Sequence, residues 1–256
     1  MQTESKTQKI AVTGATGRVG SHLAEILAQR GHDVVPIARS KGVDVVTGEG
    51  LDEALAGAET IIDTATGPSP DQEEATAFFT ASARNLQRAG AAAGAKRIVL
   101  VSIIGIDKFQ GGYNAAKVAQ EQTLLEGPLP VRIVRAAQFH EFVDQLVGWM
   151  IQDGVAYLPE MRTQLVAARV VAETLADAAE EPEIQNGKFT EIAGPREERL
   201  ADAAAALFAS GGDSFEIREG RQPGDPDAAA YAEGAALPNP GAKLAGPSFQ
   251  EWLAAA

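Results

Sequence analysis

Three groups of residues carry chemistry in this chain by type and spacing. The first is Thr13-Gly14-Ala15-Thr16-Gly17-Arg18-Val19-Gly20, which follows a short apolar run and opens an amphipathic stretch. Gly14 suits a tight turn, Gly17 lets a backbone approach a pyrophosphate without a Cβ in the way, and Gly20 lets helix and strand pack closely. A helix that begins there offers free N–H groups and the positive end of its dipole to a phosphate. A plain strand-to-helix turn is the competing reading. The second group is Arg39-Ser40-Lys41, at the end of the next apolar run. An acidic residue at that place would favour a ribose 2′-hydroxyl. Arg39 instead suits a 2′-phosphate, with Ser40 adding a donor and Lys41 a charge, unless all three are solvated loop residues. The third is Tyr113-x-x-x-Lys117. One helical turn separates the two, so they share a face, and an ammonium near a phenol lowers its pKa from about 10 toward a useful range. An ordinary surface pair on an amphipathic helix has the same spacing.

The elements that must hold these residues alternate along the chain. Short β-branched runs fall at 9–13, 33–38, 60–64, 97–103 and 131–135. Amphipathic, Ala-rich stretches fall at 17–30, 72–93 and 114–125, with a short extended piece at 43–47 and one or two helical turns at 51–56. Continuous apolar strands separated by helices specify a parallel sheet covered on both faces, a doubly wound α/β fold. Beyond Arg135 the rhythm loosens. Helices are expected at 139–152, 166–179 and 197–209, a strand at 188–193 and a possible edge strand at 214–218. A Pro/Gly/Ala-rich loop follows at 222–245 with a helix near 227–232, and a last helix at 248–255 has Ser248 as its N-cap. With no repeat and no linker visible, the expectation is one domain over residues 1–256, a dinucleotide-binding core at 8–135 and a smaller substrate-side lobe at 136–256.

Composition limits the partners. The 256 residues include 35 Asp+Glu against 22 Lys+Arg, a formal charge of −13, so nucleic acid and anionic membrane surfaces are not expected partners. Hydrophobic residues make up 45%, which fits a folded domain, and the lack of cysteine excludes thiol catalysis and disulfides within this chain. The polar first nine residues and the want of a run of about 18 apolar residues lead to an expectation of a cytoplasmic protein. His22, His32 and His140 lack metal-ligand spacing, so no metal site is expected, and His32 reads as a turn residue. His140 is open to either a substrate contact or a cap or surface role. Trp149, Met150, Tyr157 and Met161 are open to either lining a pocket or packing a core, and Asp63 to anchoring a loop or touching cofactor.

Taken with Arg39, the Tyr113/Lys117 pair after Val99-Leu-Val-Ser102, and Arg135-Ala-Ala-Gln-Phe139 after the next strand, the glycine motif resembles the short-chain dehydrogenase/reductase superfamily, in its atypical, NmrA-like branch of NAD(P)-binding proteins. The likeness spans about residues 8–200. It implies a Rossmann-like fold in which Gly14, Thr16, Gly17, Arg18 and Val19 line the pyrophosphate and Arg39, Ser40 and Lys41 the 2′-phosphate of NADP(H). It also implies that Ala65, Thr66 and Gly67 pass beside the adenosine, and that Gln138 and Phe139 lie near the nicotinamide. Tyr113 would be the acid, Lys117 its activator and the holder of the nicotinamide ribose, and Ser102 the hydroxyl beside the substrate carbonyl. Ile103 and Ile104 stand where the family often carries hydroxyls, so Ser102 can instead be only a strand-end residue. The expected activity is NADPH-dependent reduction of a small carbonyl, quinone or similar acceptor by a monomer or homodimer. A non-catalytic NADP(H) sensor, or an epimerase or lyase using bound cofactor, is the alternative.

Overall fold

The computed structural model describes residues 7–183, 185–212, 216–221 and 224–255. In chain order its elements begin with β1 (Lys9–Thr13), α1 (Arg18–Gln29), β2 (Asp33–Ile37), α2 (Leu51–Ala54), β3 (Thr60–Asp63) and α3 (Gln72–Ala93). They continue with β4 (Arg97–Ile103), α4 (Gly112–Leu125), β5 (Val131–Ala136), α5 (Val143–Trp149), β6 (Ile151–Gln152), β7 (Val155–Pro159) and β8 (Arg162–Thr163). The last are α6 (Ala168–Glu180), β9 (Phe189–Ala193), β10 (Glu198–Arg199), α7 (Leu200–Gly211), β11 (Glu216–Gly220), α8 (Ala228–Ala232), β12 (Lys243–Leu244) and α9 (Phe249–Ala255).

A seven-stranded sheet in the order β12-β9-β5-β4-β3-β1-β2 forms a Rossmann-like α/β fold. β1 runs parallel to both β2 and β3, and β3 runs parallel to β4. The chain leaves β1 toward β2 and returns to β3 on its other side, so the topological switch point falls between β1 and β3. Ligands of open α/β sheets bind beyond the strand ends at such a point.

The described residues divide into two compact units: 7–102, 112–134 and 171–190 in the first, and 103–111, 135–170 and 191–255 in the second. The first is packed around Ile37, Leu51, Ile61, Leu86, Ile98 and Val131. Its longest helix, α3, has clear ends. The Asp71 side chain accepts from the N–H groups of Glu73 and Glu74 at 2.9 and 3.0 Å, and Gly94 closes the helix at φ 78°. The second unit has its own core around Val143, Leu158, Leu165, Leu200 and Phe249. There β7 pairs antiparallel with β6 and parallel with β11, and β8 pairs antiparallel with β10.

Several local expectations change. Residues 43–47 form no strand: Asp44 Oδ1 accepts from the N–H of Val46 at 2.7 Å and of Thr47 at 3.1 Å, which folds the segment into a turn. The helix expected over 139–152 stops at Trp149, because Asp153 (φ 50°) and Gly154 (φ 79°) make a two-residue hairpin turn between β6 and β7. Residues 198–199 pair as β10 before α7 starts. Of the strand expected at 214–218, positions 213–215 lie outside the described residues, and β11 occupies Glu216–Gly220. Ser248 caps α9: its hydroxyl accepts from the Glu251 N–H while the Glu251 carboxylate accepts from the Ser248 N–H at 2.8 Å, a reciprocal capping box.

Candidate functional site

The glycine turn is built at the switch point, and its glycines have unequal tasks. Gly14 sits at φ 64°, and a Cβ there would lie 2.7 Å from the Thr64 carbonyl oxygen. The turn after β1 therefore nests against the end of β3. At Gly20 a Cβ would fall 2.1 Å from the Gly14 carbonyl oxygen, so α1 approaches the turn as closely as backbone atoms permit. Gly17, the N-cap, brings no side chain to the end of α1, and no acidic residue occupies the first turn. Its position would meet only the Gly14 oxygen, at 3.2 Å, so its outer side is open. A cradle without Cβ atoms over an uncapped helix N-terminus fits a diphosphate. Thr16, Gly17 and Arg18 are exposed, and Val19 is buried beneath them.

Arg39, Ser40 and Lys41 form one turn of 3-10 helix directly after β2, and all three are exposed. Among the described residues no carboxylate pairs with Arg18, Arg39 or Lys41, in a chain whose other arginines mostly have acidic partners. Ala65, Thr66 and Gly67 follow β3. The Ala65 N–H donates to Asp63 Oδ1 at 3.1 Å, and a Cβ on Gly67 would touch the Phe78 ring at 3.0 Å.

On α4, Tyr113 and Lys117 occupy different surroundings. Tyr113 packs edge-on against Phe79 at 5.5 Å between ring centres, within a small cluster that includes Ala75 and Ala116. Burial pushes its phenol up from the ordinary value, and a hydrogen bond with the Thr66 side chain opposes that rise. This reverses the lowering expected from Lys117. The reason is where the lysine goes: its ammonium donates to the Val101 carbonyl at 2.9 Å and to Gln120 Oε1 at 2.5 Å, and lies 4.7 Å from the centre of the Phe79 ring. Burial lowers its pKa to about 8 against the opposing charges of Asp63 and Glu121. Lys117 is thus neither a solvated surface charge nor an open ribose ligand in this conformation. Ser102, on β4, has a buried hydroxyl with no hydrogen-bond partner among the described residues.

The residues expected at the nicotinamide end belong to the second unit. Gln138 accepts from the Thr163 hydroxyl at 2.5 Å, and Phe139 bridges to Val166. His140 is buried: its Nε2 lies 3.1 Å from the Pro247 carbonyl and its ring packs on Phe249 and Trp252. Burial pushes its pKa down, so it serves as a neutral packing residue. Met161 is in the core of that unit, Met150 packs against it, and Trp149 and Tyr157 are exposed. His32 follows the turn at Gly31, as expected, and is buried there. Its Nδ1 accepts from the Gln8 N–H at 3.2 Å and its Nε2 meets Glu180 at 2.8 Å. No group of metal-ligating side chains forms among the described residues. No described helix is long and apolar enough to cross a membrane.

Sequence reasoning passed over Thr13, Phe79 and Gln120, and left Asp63 open. Gln120 carried a signal, since it stands one turn beyond Lys117 on the same face of α4.

Residues 14–182 match the NAD(P)H-binding family. Among curated proteins, the chain is 29% identical over 160 residues to 4-hydroxy-tetrahydrodipicolinate reductase of Natronomonas pharaonis, covering 61% of this chain and 54% of that protein. It thus spans about half the length of that relative. The enzyme WbmH of Bordetella bronchiseptica, solved in complex with NAD+, superposes with a TM-score of 0.73 at 18% identity, over 98% of this chain and 97% of that one. An NADPH-dependent quinone oxidoreductase of Escherichia coli, QOR2, gives 0.66 at 19% identity, over 96% and 98%. At these identities the two structures establish a common fold.

Proposed function

The chain belongs to the NAD(P)H-binding family, and from that premise we propose that it is an NADPH-dependent oxidoreductase of the atypical short-chain dehydrogenase/reductase type, reducing a small carbonyl, quinone or similarly polarised acceptor. The observation that carries the proposal is the uncapped N-terminus of α1 over the Gly14/Gly17/Gly20 cradle, flanked by Arg18, Arg39 and Lys41, which have no carboxylate partner among the described residues. In this reading Gly14, Thr16, Gly17, Arg18 and Val19 hold the diphosphate, and Arg39, Ser40 and Lys41 the 2′-phosphate. Ala65, Thr66 and Gly67 hold the adenosine. NADPH is favoured over NADH because a bidentate guanidinium matches a phosphate, and no carboxylate ends β2 to receive ribose hydroxyls.

When bound, the reduced coenzyme supplies a hydride. The chain supplies the proton. A phenol whose pKa is raised by burial stays protonated at neutral pH, so Tyr113 Oη can donate to an alkoxide oxygen as negative charge develops there, and Thr66 can then stabilise the phenolate left behind. The same shift leaves little phenolate at neutral pH to act as a base in the reverse reaction. Lys117 acts from the interior as a buried cation behind α4, and Ser102 offers the hydroxyl for the substrate oxygen.

The test is loss of NADPH absorbance with a panel of ketones, aldehydes and quinones. Turnover that falls by at least about 100-fold in Tyr113→Phe, with NADPH affinity kept, is the expected result. A second reading is favoured by the inward ammonium of Lys117: an NADP(H) sensor that does not turn over. Tight NADPH binding by the wild-type chain with no turnover across the panel would select it.

A further inference from the structure

We infer that Asp63 and Gln120 are positioning residues, which join the glycine turn to the helix bearing Tyr113 and Lys117 through one buried hydrogen-bond chain. The inference rests on the reading of those two residues as reaction machinery. Asp63, at the end of β3, is 1% exposed and uses both carboxylate oxygens. Oδ1 accepts from the Thr13 hydroxyl at 2.5 Å and from the Ala65 N–H at 3.1 Å, and Oδ2 accepts from Gln120 Nε2 at 2.9 Å. Thr13 immediately precedes Gly14, and its own hydroxyl accepts from the Thr64 N–H at 3.2 Å. One carboxylate therefore fixes the diphosphate turn, the loop assigned to adenosine, and α4.

The direction of Gln120 follows from that carboxylate. Only the NH2 end of the amide can face Asp63, so the carbonyl end must face Lys117, which it accepts from at 2.5 Å. Val101 contributes the second acceptor to the same ammonium. The charged groups that face Lys117 are Asp63 from β3 and Glu121 from α4, while α3 presents the Phe79 ring and β4 a backbone carbonyl. Packing does not require any of this. Ile61 and Ile62, earlier on the same strand, fill their places with hydrocarbon, and the register of β1 and β3 already pairs Thr13 with Asp63 through the backbone. A buried carboxylate is costly where an apolar side chain would serve, so its retention marks a task of orientation.

Two substitutions separate the links of this chain. Gln120→Leu cuts Asp63 from Lys117 but leaves Thr13 and Ala65 held. Asp63→Leu breaks both ends, because it removes both acceptor oxygens at once. The full-length protein would be assayed for NADPH affinity, and for the Lys117 titration by NMR of 13Cε-labelled lysines, the signal being assigned by its loss in Lys117→Arg. Removing an acceptor or a negative charge makes the ammonium less favourable. Gln120→Leu should therefore move the Lys117 midpoint down by at least about half a pH unit, with NADPH affinity within about twofold of wild type. Asp63→Leu should lower the midpoint too, and weaken NADPH about tenfold. A midpoint unchanged in Gln120→Leu overturns the inference, whether or not Asp63→Leu folds. So does an equal loss of NADPH affinity in both variants. Wild-type protein that binds no NADPH would instead remove the proposed function, while the lysine titration would still decide whether the chain exists.

Discussion

Lys117 shows how one side chain can carry a cost that pH reveals. Its pKa falls from 10.5 to about 8 on burial, which corresponds to about 3 kcal/mol of disfavoured charge in the folded state at neutral pH. Between pH 8 and 10.5 the unfolded chain keeps this proton and the folded chain has released it, so the contribution of Lys117 makes stability rise with pH across that window. Below pH 8 both states are protonated and the cost is constant. The stability difference between wild type and Lys117→Met, measured by denaturant unfolding, should therefore shift in favour of wild type by up to about 3 kcal/mol from pH 8 to 10.5. Parallel curves for the two proteins would contradict that burial. The Tyr113/Lys117 spacing is legible in the sequence because a helix places such residues on one face. Their surroundings are not, since Phe79, Val101 and Asp63 come from three other elements. That is why a lowered phenol was the natural expectation and a raised one is found.

At the scale of elements, α1 leaves no room for a side chain where it meets its own entry turn. Gly20→Ala would place a Cβ 2.1 Å from the Gly14 oxygen, against backbone that has nowhere to go. It should cost about 1–3 kcal/mol and lower NADPH affinity, because α1 must tilt away from the turn. A wild-type melting temperature would show that the helix is not held there. The longest helix and the strand after it could be read from sequence to the residue, because Asp71 caps α3 and Gly94 ends it before the apolar run of β4. The second unit was harder to read. Its apolar spacing continues past Trp149, and only Asp153–Gly154, a pair suited to positive φ, signals the hairpin that ends the helix. Asp44 hid a turn in the same way, through side-chain bonds to its own backbone within a β-branched stretch.

For the whole molecule, charge poses the sharpest question. A protein of net charge −13 is proposed to take up a polyanion. The outcome depends on distance: at physiological salt the Debye length is about 8 Å, so remote carboxylates are screened while cations touching the phosphates are not. With the remote repulsion already screened, added salt acts chiefly by competing for the exposed cation–phosphate contacts, so NADPH affinity should fall as salt rises if Arg18, Arg39 and Lys41 touch the phosphates, and affinity that climbs with salt would mean the global repulsion dominates. The parallel sheet was legible from alternating strands and helices. The exchange of segments between the two units was not, because 103–111 and 171–190 have no compositional mark that assigns them to either. The central claim is that the glycine turn opening α1 grips a dinucleotide whose 2′-phosphate meets Arg39. Its most direct test is calorimetric titration of the wild-type protein and Arg39→Ala with NADPH and NADH. Saturable NADPH binding that weakens about tenfold or more in Arg39→Ala, with NADH affected far less, is the predicted result; no association of the wild-type protein with either coenzyme would contradict the account.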